Sequence, residues 1–496
     1  MTAPTTDGHT AAGDLTDGGV TDIDVAIVGA GFAGLGMGIR LARRGRESFV
    51  LLERAAEVGG TWRDNTYPGV ACDIPSHLYS FSFRPRPDWS RVFAPGSEIQ
   101  EYLREAARAE GLLPHLRFGA DMHEARWEGD RWRITTGAGT WRARVLVMAA
   151  GRLSEPRMPE LPGLESFPGP VFHTSRWDPG ADLTGRVGVV GTGASAAQVI
   201  PGLAERASQL VVFQRSAPWV VPRNDRAYSP EELRELADPA HAARVRDGMF
   251  ADAERNFPQR LGRHPDIDRL RDTAEHHLAA QVPDPRLRAL LTPDYEIGCK
   301  RVLLSDDLYP ALARENVTLE PSALTAIEGG KAVAGSGARH DVDALVVATG
   351  FRSTDPPFAQ RVVGRTGLLA EHWSAGMTAY ASTVVHGFPN LFVLDGPNAS
   401  LGHNSAVHMI ETQIGYVEGA LDHLARSAEP LEVSRAAEAG YTAEIDARSR
   451  DTVWLRGGCR SWYVDPRSGR LTLLWPGTAG SFRERNGRFD PSPFGH

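Results

Sequence analysis

Two stretches of this 496-residue sequence place glycines where a turn enters a helix: Gly29-Ala30-Gly31-Phe32-Ala33-Gly34 and Gly191-Thr192-Gly193-Ala194-Ser195-Ala196. Such a turn is suited to holding pyrophosphate. Gly29 permits the tight bend, Gly31 lets backbone approach the phosphates, and Gly34 lets helix and strand pack closely. The helix start then offers N–H donors and the positive end of its dipole. A little over twenty residues beyond Gly29 comes Glu53, a carboxylate where a dinucleotide fold binds the adenosine ribose. The second turn differs at the corresponding point. Its next apolar run ends in Gln214-Arg215-Ser216, with an arginine where a carboxylate would read a free 2′-hydroxyl. A guanidinium there suits a 2′-phosphate, which favours NADP(H) over NAD(H). Between the two turns lies FPGPVFHTSRWD, residues 167–178, with Phe167, Gly169, His173, Trp177 and Asp178 at fixed spacing.

The elements that must position these residues follow from the apolar pattern. Residues 24–29 and 49–52 are short β-branched runs flanking a helical pattern at 32–43, so strand, turn, helix, strand and acid follow in order. Residues 186–191, 197–204 and 210–213 repeat the theme as strand, helix and strand. Residues 145–151 and 341–351 are further buried strands entering turns, and 406–424 reads as a long helix. From Tyr228 to Pro293 the sequence becomes charged with period-3.6 apolar spacing, and Ser229-Pro230-Glu231-Glu232 marks a helix start. The predicted class is α/β, with two Rossmann-like dinucleotide-binding domains and a helical insertion in the second. The expected boundaries are a disordered tail at 1–22, a first domain at 23–152 and 382–496, a second at 153–227 and 293–381, and the insertion at 228–292.

Composition excludes several functions. With 42% hydrophobic and 23% charged residues the chain is ordinary for a globular protein, and its net charge of −8 comes from interspersed acids and bases. No basic stretch suggests nucleic acid or an anionic membrane. No apolar run approaches the ~20 residues that span a bilayer, and the first 22 residues lack the basic start and apolar core of a signal peptide. Cys72, Cys299 and Cys459 are odd in number and far apart, so they give no disulfide framework and no C-x-x-C pair. His276 and His277 read as surface residues, and no ligand cluster suggests a metal. A cytoplasmic protein is expected, a monomer or weak homo-oligomer.

The string at 167–178, flanked by two glycine turns, resembles the type I Baeyer–Villiger monooxygenases. Gly59-Gly60-Thr61-Trp62, Tyr67-Pro68-Gly69, Cys72-Asp73, Tyr79, Gly298 with Lys300-Arg301, Ala348-Thr349-Gly350 and Ser461-Trp462-Tyr463 agree in order and spacing. The resemblance covers nearly all of residues 24–487. It implies FAD in the first domain and NADPH in the second, with a small-molecule ketone and O₂ as substrates. The reaction it implies makes an ester or lactone through a C4a-peroxyflavin and a Criegee adduct. On this mapping Gly29, Gly31 and Gly34 cradle the FAD pyrophosphate, Glu53 holds the ribose, and Thr61, Trp62, Asp73 and Tyr79 lie near the flavin. Met122 approaches the adenine through its backbone, and Asn404, Ser405 and Ala406 bring backbone to the isoalloxazine. Thr192, Gly193, Ala194, Ser195, Ala196, Ala197 and Gln198 bind the NADPH pyrophosphate. Arg215, Ser216 and Lys300 meet the 2′-phosphate, and Trp462 folds over the nicotinamide nucleotide.

The resemblance also implies the catalytic pair. Arg301 is the cation for an oxygen anion, because its guanidinium stays charged at any working pH, and Asp73 holds it and offsets the cost of burying it. An ordinary structural ion pair is the other reading, and the two roles are compatible. His173 is expected to serve domain communication, with Phe167 and Trp177 packing. An N- or S-oxidising flavin monooxygenase remains an alternative that needs no such cation. A flavin reductase or a nucleotide sensor stands further off.

Overall fold

Residues 15–16 and 19–494 are described in a computed structural model of the chain. Val20–Val28 forms the centre of a ten-stranded sheet, parallel to Phe49–Leu52 on one side and Gly139–Met148 on the other. Its residues alternate between two cores. Val25 and Ile27 pack with Leu35 and Ile39 of helix Phe32–Arg43, while Ala26 and Val28 face Trp132, Trp141 and Met148. Its last four residues, Val25 to Val28, are covered on both faces and have no solvated side, which is why they are all apolar, while Asp22 and Asp24 fall in the less buried half.

The second sheet has five strands, all parallel, in the spatial order Val317–Glu320, Gln209–Phe213, Arg186–Val190, Ala344–Val347, Val171–His173. Helix Ala194–Arg206 follows Arg186–Val190, so it begins earlier than the 197–204 pattern suggested. In both sheets the strand before the glycine turn has its sequence successor on one side and a later strand on the other. Such a switch point opens a crevice at the carboxyl ends of the strands, where ligands of doubly wound folds bind.

The insertion is helical: Pro230–Leu236, Pro239–Arg255, Phe257–Arg260, Asp266–Gln281 and Pro285–Leu291. Ser229 and Glu232 cap the first helix reciprocally, as the sequence signature requires. His277 corrects an expectation. Its residue is buried and its Nε2 lies 2.9 Å from the Ser305 carbonyl, so it ties the insertion to the segment that follows strand Leu303–Leu304 and is not a surface residue.

Two boundaries also shift. Leu15–Thr16 pairs antiparallel with Thr21 and Val20, so the expected tail to residue 22 overlaps the sheet; residues 1–14, 17–18 and 495–496 lie outside the described residues. Val362–Gly364 already pairs with Met122–Glu128, so the chain rejoins the first sheet before the boundary expected at residue 382. Among the described residues no helix is long and apolar enough to cross a membrane, and no group of His, Cys, Asp and Glu is arranged to hold a metal.

Candidate active site

One cavity of about 1470 Å³ runs from the first glycine turn to the second. That exceeds the ~300–1,000 Å³ of a pocket for one small molecule, and suits two dinucleotides meeting end to end. At the first turn Gly29 has φ +105°, and a Cβ there would sit 2.4 Å from the Ala149 carbonyl oxygen. A Cβ on Gly34 would lie 1.9 Å from the Gly29 carbonyl oxygen, so only glycine lets this helix begin so close to its strand. At the second turn a Cβ on Gly193 would meet nothing within 4 Å, which leaves that backbone open to an approaching phosphate. The residues present therefore fit both nucleotides.

Glu53 ends Phe49–Leu52 and is buried. One carboxylate oxygen accepts from the Ala30 N–H at 2.9 Å inside the glycine turn, and the other accepts from Ala55 N–H and pairs with Arg63, each at 2.9 Å. Glu53, Thr61, Trp62, Asp73, Tyr79, Met122, Asn404 and Ala406 all line the cavity. Trp62 donates its indole N–H to the Tyr79 hydroxyl at 3.3 Å, and Tyr79 packs edge-on against Phe32. Gly34, Ala196 and Ser405 stand behind the lining; Ser405 caps helix Ala406–Leu424 by accepting from Val407 N–H.

At the second turn two segments far apart in sequence converge. Lys300 Nζ donates to Ser216 Oγ at 2.6 Å and lies 4.4 Å from the centre of the Tyr295 ring. Burial and then the charge of Arg215 push the Lys300 ammonium below its usual range. Two cations held together are costly unless an anion joins them. Gln198 lines the cavity, and its side chain accepts from Ala71 N–H at 2.7 Å and donates to the Ala194 carbonyl.

Asp73 and Arg301 meet where the two halves of the cavity join, with Arg301 Nε donating to Asp73 Oδ2 at 2.6 Å. Their side chains are 38% and 26% exposed, all of it in keeping with groups that face the cavity. Burial pushes the Asp73 carboxyl up, yet the charges of Arg301 and Arg223 hold it below the usual carboxylate range. Arg301 is raised in turn, chiefly by the Asp73 charge against the pull of burial, with Tyr463 helping. The pair is ionised throughout the working range, leaving the rest of the guanidinium fork to face an oxygen anion.

Sequence reasoning missed several members of this site. Arg223 donates to the Cys72 carbonyl at 2.8 Å, so Asp73 sits between two arginines. Tyr463 adjoins Trp462 in a motif already noted, and that adjacency was the available signal. Arg152 pairs with Asp395 in the cavity wall, where burial lowers the guanidinium to about 10; nothing local in the sequence points to it.

None of Phe167, Gly169, His173, Trp177 and Asp178 lines the cavity. His173 ends the edge strand Val171–His173, its ring against Phe351, and its Nδ1 accepts from Ser175 N–H at 3.1 Å. Burial lowers it to about 4, so it is neutral at working pH. Phe167 is buried, Trp177 packs edge-on to Phe172, and Asp178 accepts from Gly180 N–H.

Cys299 and Cys459 form a disulfide, correcting the expectation of none. It joins the Gly298–Arg301 turn to the loop carrying Trp462, and neither sulfur-bearing residue lines the cavity. Cys72 is free and buried, and burial pushes its thiol up. The chemistry of a dithiol reductase is therefore not set at the cavity wall.

A model of the pyridine nucleotide-disulphide oxidoreductase family matches residues 26–246. The Baeyer-Villiger monooxygenase of Streptomyces coelicolor is 46% identical over 478 residues, covering 94% of this chain and 91% of the relative. The solved structure described as "Oxidized steroid monooxygenase bound to NADP" has a TM-score of 0.82 at 33% identity, over 94% of this chain and 97% of that one. "Crystal Structure of OTEMO complex with FAD and NADP (form 3)" gives 0.83 at 28% identity, over 93% and 96%.

Proposed function

This chain belongs to the Baeyer–Villiger monooxygenases, and on that premise we propose that Arg301 and Asp73 are its catalytic pair. The protein is an FAD-containing, NADPH-dependent monooxygenase that oxygenates a ketone to an ester or lactone. Bound FAD, reduced by NADPH, supplies the activated oxygen.

The residues of this chain bind, orient and stabilise. The first glycine turn and Glu53 hold FAD; the second turn, with Arg215, Ser216 and Lys300, holds NADPH. Arg301 presents a fixed positive charge and several N–H donors to the oxygen atoms that become negative during the reaction. A preorganised cation is worth most where water is excluded, because it needs no reorganisation at the moment of reaction. Asp73 holds that guanidinium in one orientation and neutralises it between turnovers. The single observation that carries this reading is the 2.6 Å Asp73–Arg301 pair at the junction of the two nucleotide clefts. N- or S-oxidation would not require that fixed cation. The discontinuous division into an FAD domain, an NADPH domain and a helical insertion is part of the same reading, with residues 362–381 now assigned to the FAD side.

The purified protein is expected to be yellow, with about one FAD per chain because one glycine turn carries the ribose acid. NADPH oxidation should rise on adding a ketone under O₂, and ¹⁸O₂ should place one labelled atom in the ester by mass spectrometry. Unlabelled product, or ketone-independent consumption without any ester, would remove the ground for this reading.

A further inference from the structure

The helical insertion grips the cavity wall from outside. Glu254, in helix Pro239–Arg255, accepts four hydrogen bonds from two separate segments. Its Oε1 accepts from Asn404 Nδ2 at 2.8 Å, His403 Nε2 at 3.2 Å and Ala479 N–H at 3.0 Å, and its Oε2 from Gly480 N–H at 3.0 Å. Burial raises this carboxyl, but the His403, Gly480, Asn404 and Ala479 hydrogen bonds outweigh it and lower it to about 2. A carboxylate that stays ionised can only accept, so it forces the Asn404 amide nitrogen to face it. The amide oxygen is thereby turned to Ser405 N–H, which it meets at 2.7 Å. Ser405 in turn caps helix Ala406–Leu424. A little further along the insertion, Arg260 Nη2 donates to the Gly402 carbonyl at 3.0 Å. Gly402, His403 and Asn404 are thus held one after another by an acid and a base from the same insertion.

We propose that Glu254 is a positioning residue for the oxygenation: by fixing Asn404 it sets the backbone of residues 404–406 on the flavin side of the cavity and makes oxygen transfer depend on docking of the insertion. This rests on the reading that residues 404–406 face the flavin. Glu254 itself does not line the cavity, so it acts through Asn404 and not on substrate.

The test uses the holoenzyme and, for FAD affinity, the apoprotein. Glu254→Ala should alter the visible circular dichroism of bound FAD, weaken FAD binding to apoprotein, and cut the fraction of NADPH oxidation ending in ester by about tenfold, the scale of one lost charge-assisted hydrogen bond. The NADPH KM should stay nearly unchanged. Adding Asn404→Ala should cost nothing beyond Asn404→Ala alone, as expected for residues acting in series. A charge swap covers the case of a poorly folded alanine variant. Asn404→Asp sets two carboxylates face to face and should uncouple the enzyme, and Glu254→Gln in the same chain should restore coupling by offering an amide donor. Wild-type flavin dichroism and coupling in Glu254→Ala, additive losses in the double alanine variant, or no rescue by the swap would each overturn the proposal. Asn404→Ala with unchanged flavin dichroism and FAD affinity would overturn the flavin-side placement beneath it, while leaving Arg301 and Asp73 untouched.

Discussion

The two glycine turns share a backbone and differ in what closes them. At the first, Glu53 is buried and already bonded to Ala30 N–H within the turn, so the acid belongs to the fold as well as to its ligand. At the second, Arg215 is exposed and Lys300 reaches Ser216 from another segment, so the recognition groups meet only across the cleft. A site built into its own strand suits a resident cofactor. A site assembled from two segments suits a nucleotide that arrives and leaves, because its cations are relieved only when the anion is present. The Asp73–Arg301 pair belongs to neither turn alone: Asp73 follows the first and Arg301 adjoins Lys300 of the second.

The largest effect should come from breaking that junction. Arg301→Ala is expected to lower ester formation at least ~100-fold, the scale of removing one preorganised donor to a developing anion. NADPH should still be oxidised, with hydrogen peroxide as the product, measured by a peroxidase-coupled assay. Arg301→Lys should recover little, since one ammonium cannot reproduce a fork held by Asp73. Near-normal ester yield from Arg301→Ala would mean that the junction is structural only.

A middling effect should separate the two turns. Arg215→Ala or Lys300→Ala is expected to raise the KM for NADPH by about 10–100-fold, the value of one charge-assisted hydrogen bond, while KM for NADH changes little. FAD content should be unchanged, read from the absorbance of the purified protein. Loss of FAD from either variant would dissolve the contrast between resident and exchanging sites.

The smallest effect concerns acid. His173 on the second sheet and His77 and His408 on the first side are each lowered to about 4, with burial the largest cause in every case. In the unfolded chain they would take up protons near pH 6.5, so between pH 6.5 and 4 the unfolded state binds more protons and stability falls as pH falls. At pH 5 each accounts for about 2 kcal/mol. His173→Gln should therefore flatten, by roughly that amount, the difference between urea unfolding free energies at pH 7 and pH 5. It should also slow turnover while FAD stays bound. An unchanged pH slope would show that His173 is protonated in the native state.

Much of the first half of the site was legible because it is local. Gly29, Gly31, Gly34 and Glu53 lie within one strand–helix–strand unit, where spacing alone dictates which groups share the carboxyl edge of a sheet. The helix Ala406–Leu424 and the Ser229 cap were legible for the same reason. His277 was not, because an i, i+1 pair of histidines on an amphipathic helix points in two directions, and only the packing of Asp266–Gln281 against strand Val220–Val221 and the Ser305 segment decides which one is buried. The disulfide was missed because Cys299 and Cys459, 160 residues apart, carry no spacing rule.

The sequence by itself determined the two nucleotide folds and the preference for a 2′-phosphate, since glycine turns and strand ends act through residues close in the chain; Asp73 and Arg301 became candidates only through the resemblance of their motifs to a family. Only the tertiary structure decided that Arg301 Nε bonds Asp73 Oδ2 across 228 residues, that Arg223 joins them, and that Glu254 holds Asn404 across 150. The physical reason is that burying a charge is tolerable only beside its partner, and in a chain of several packed layers that partner is chosen by which surfaces meet, not by distance along the sequence.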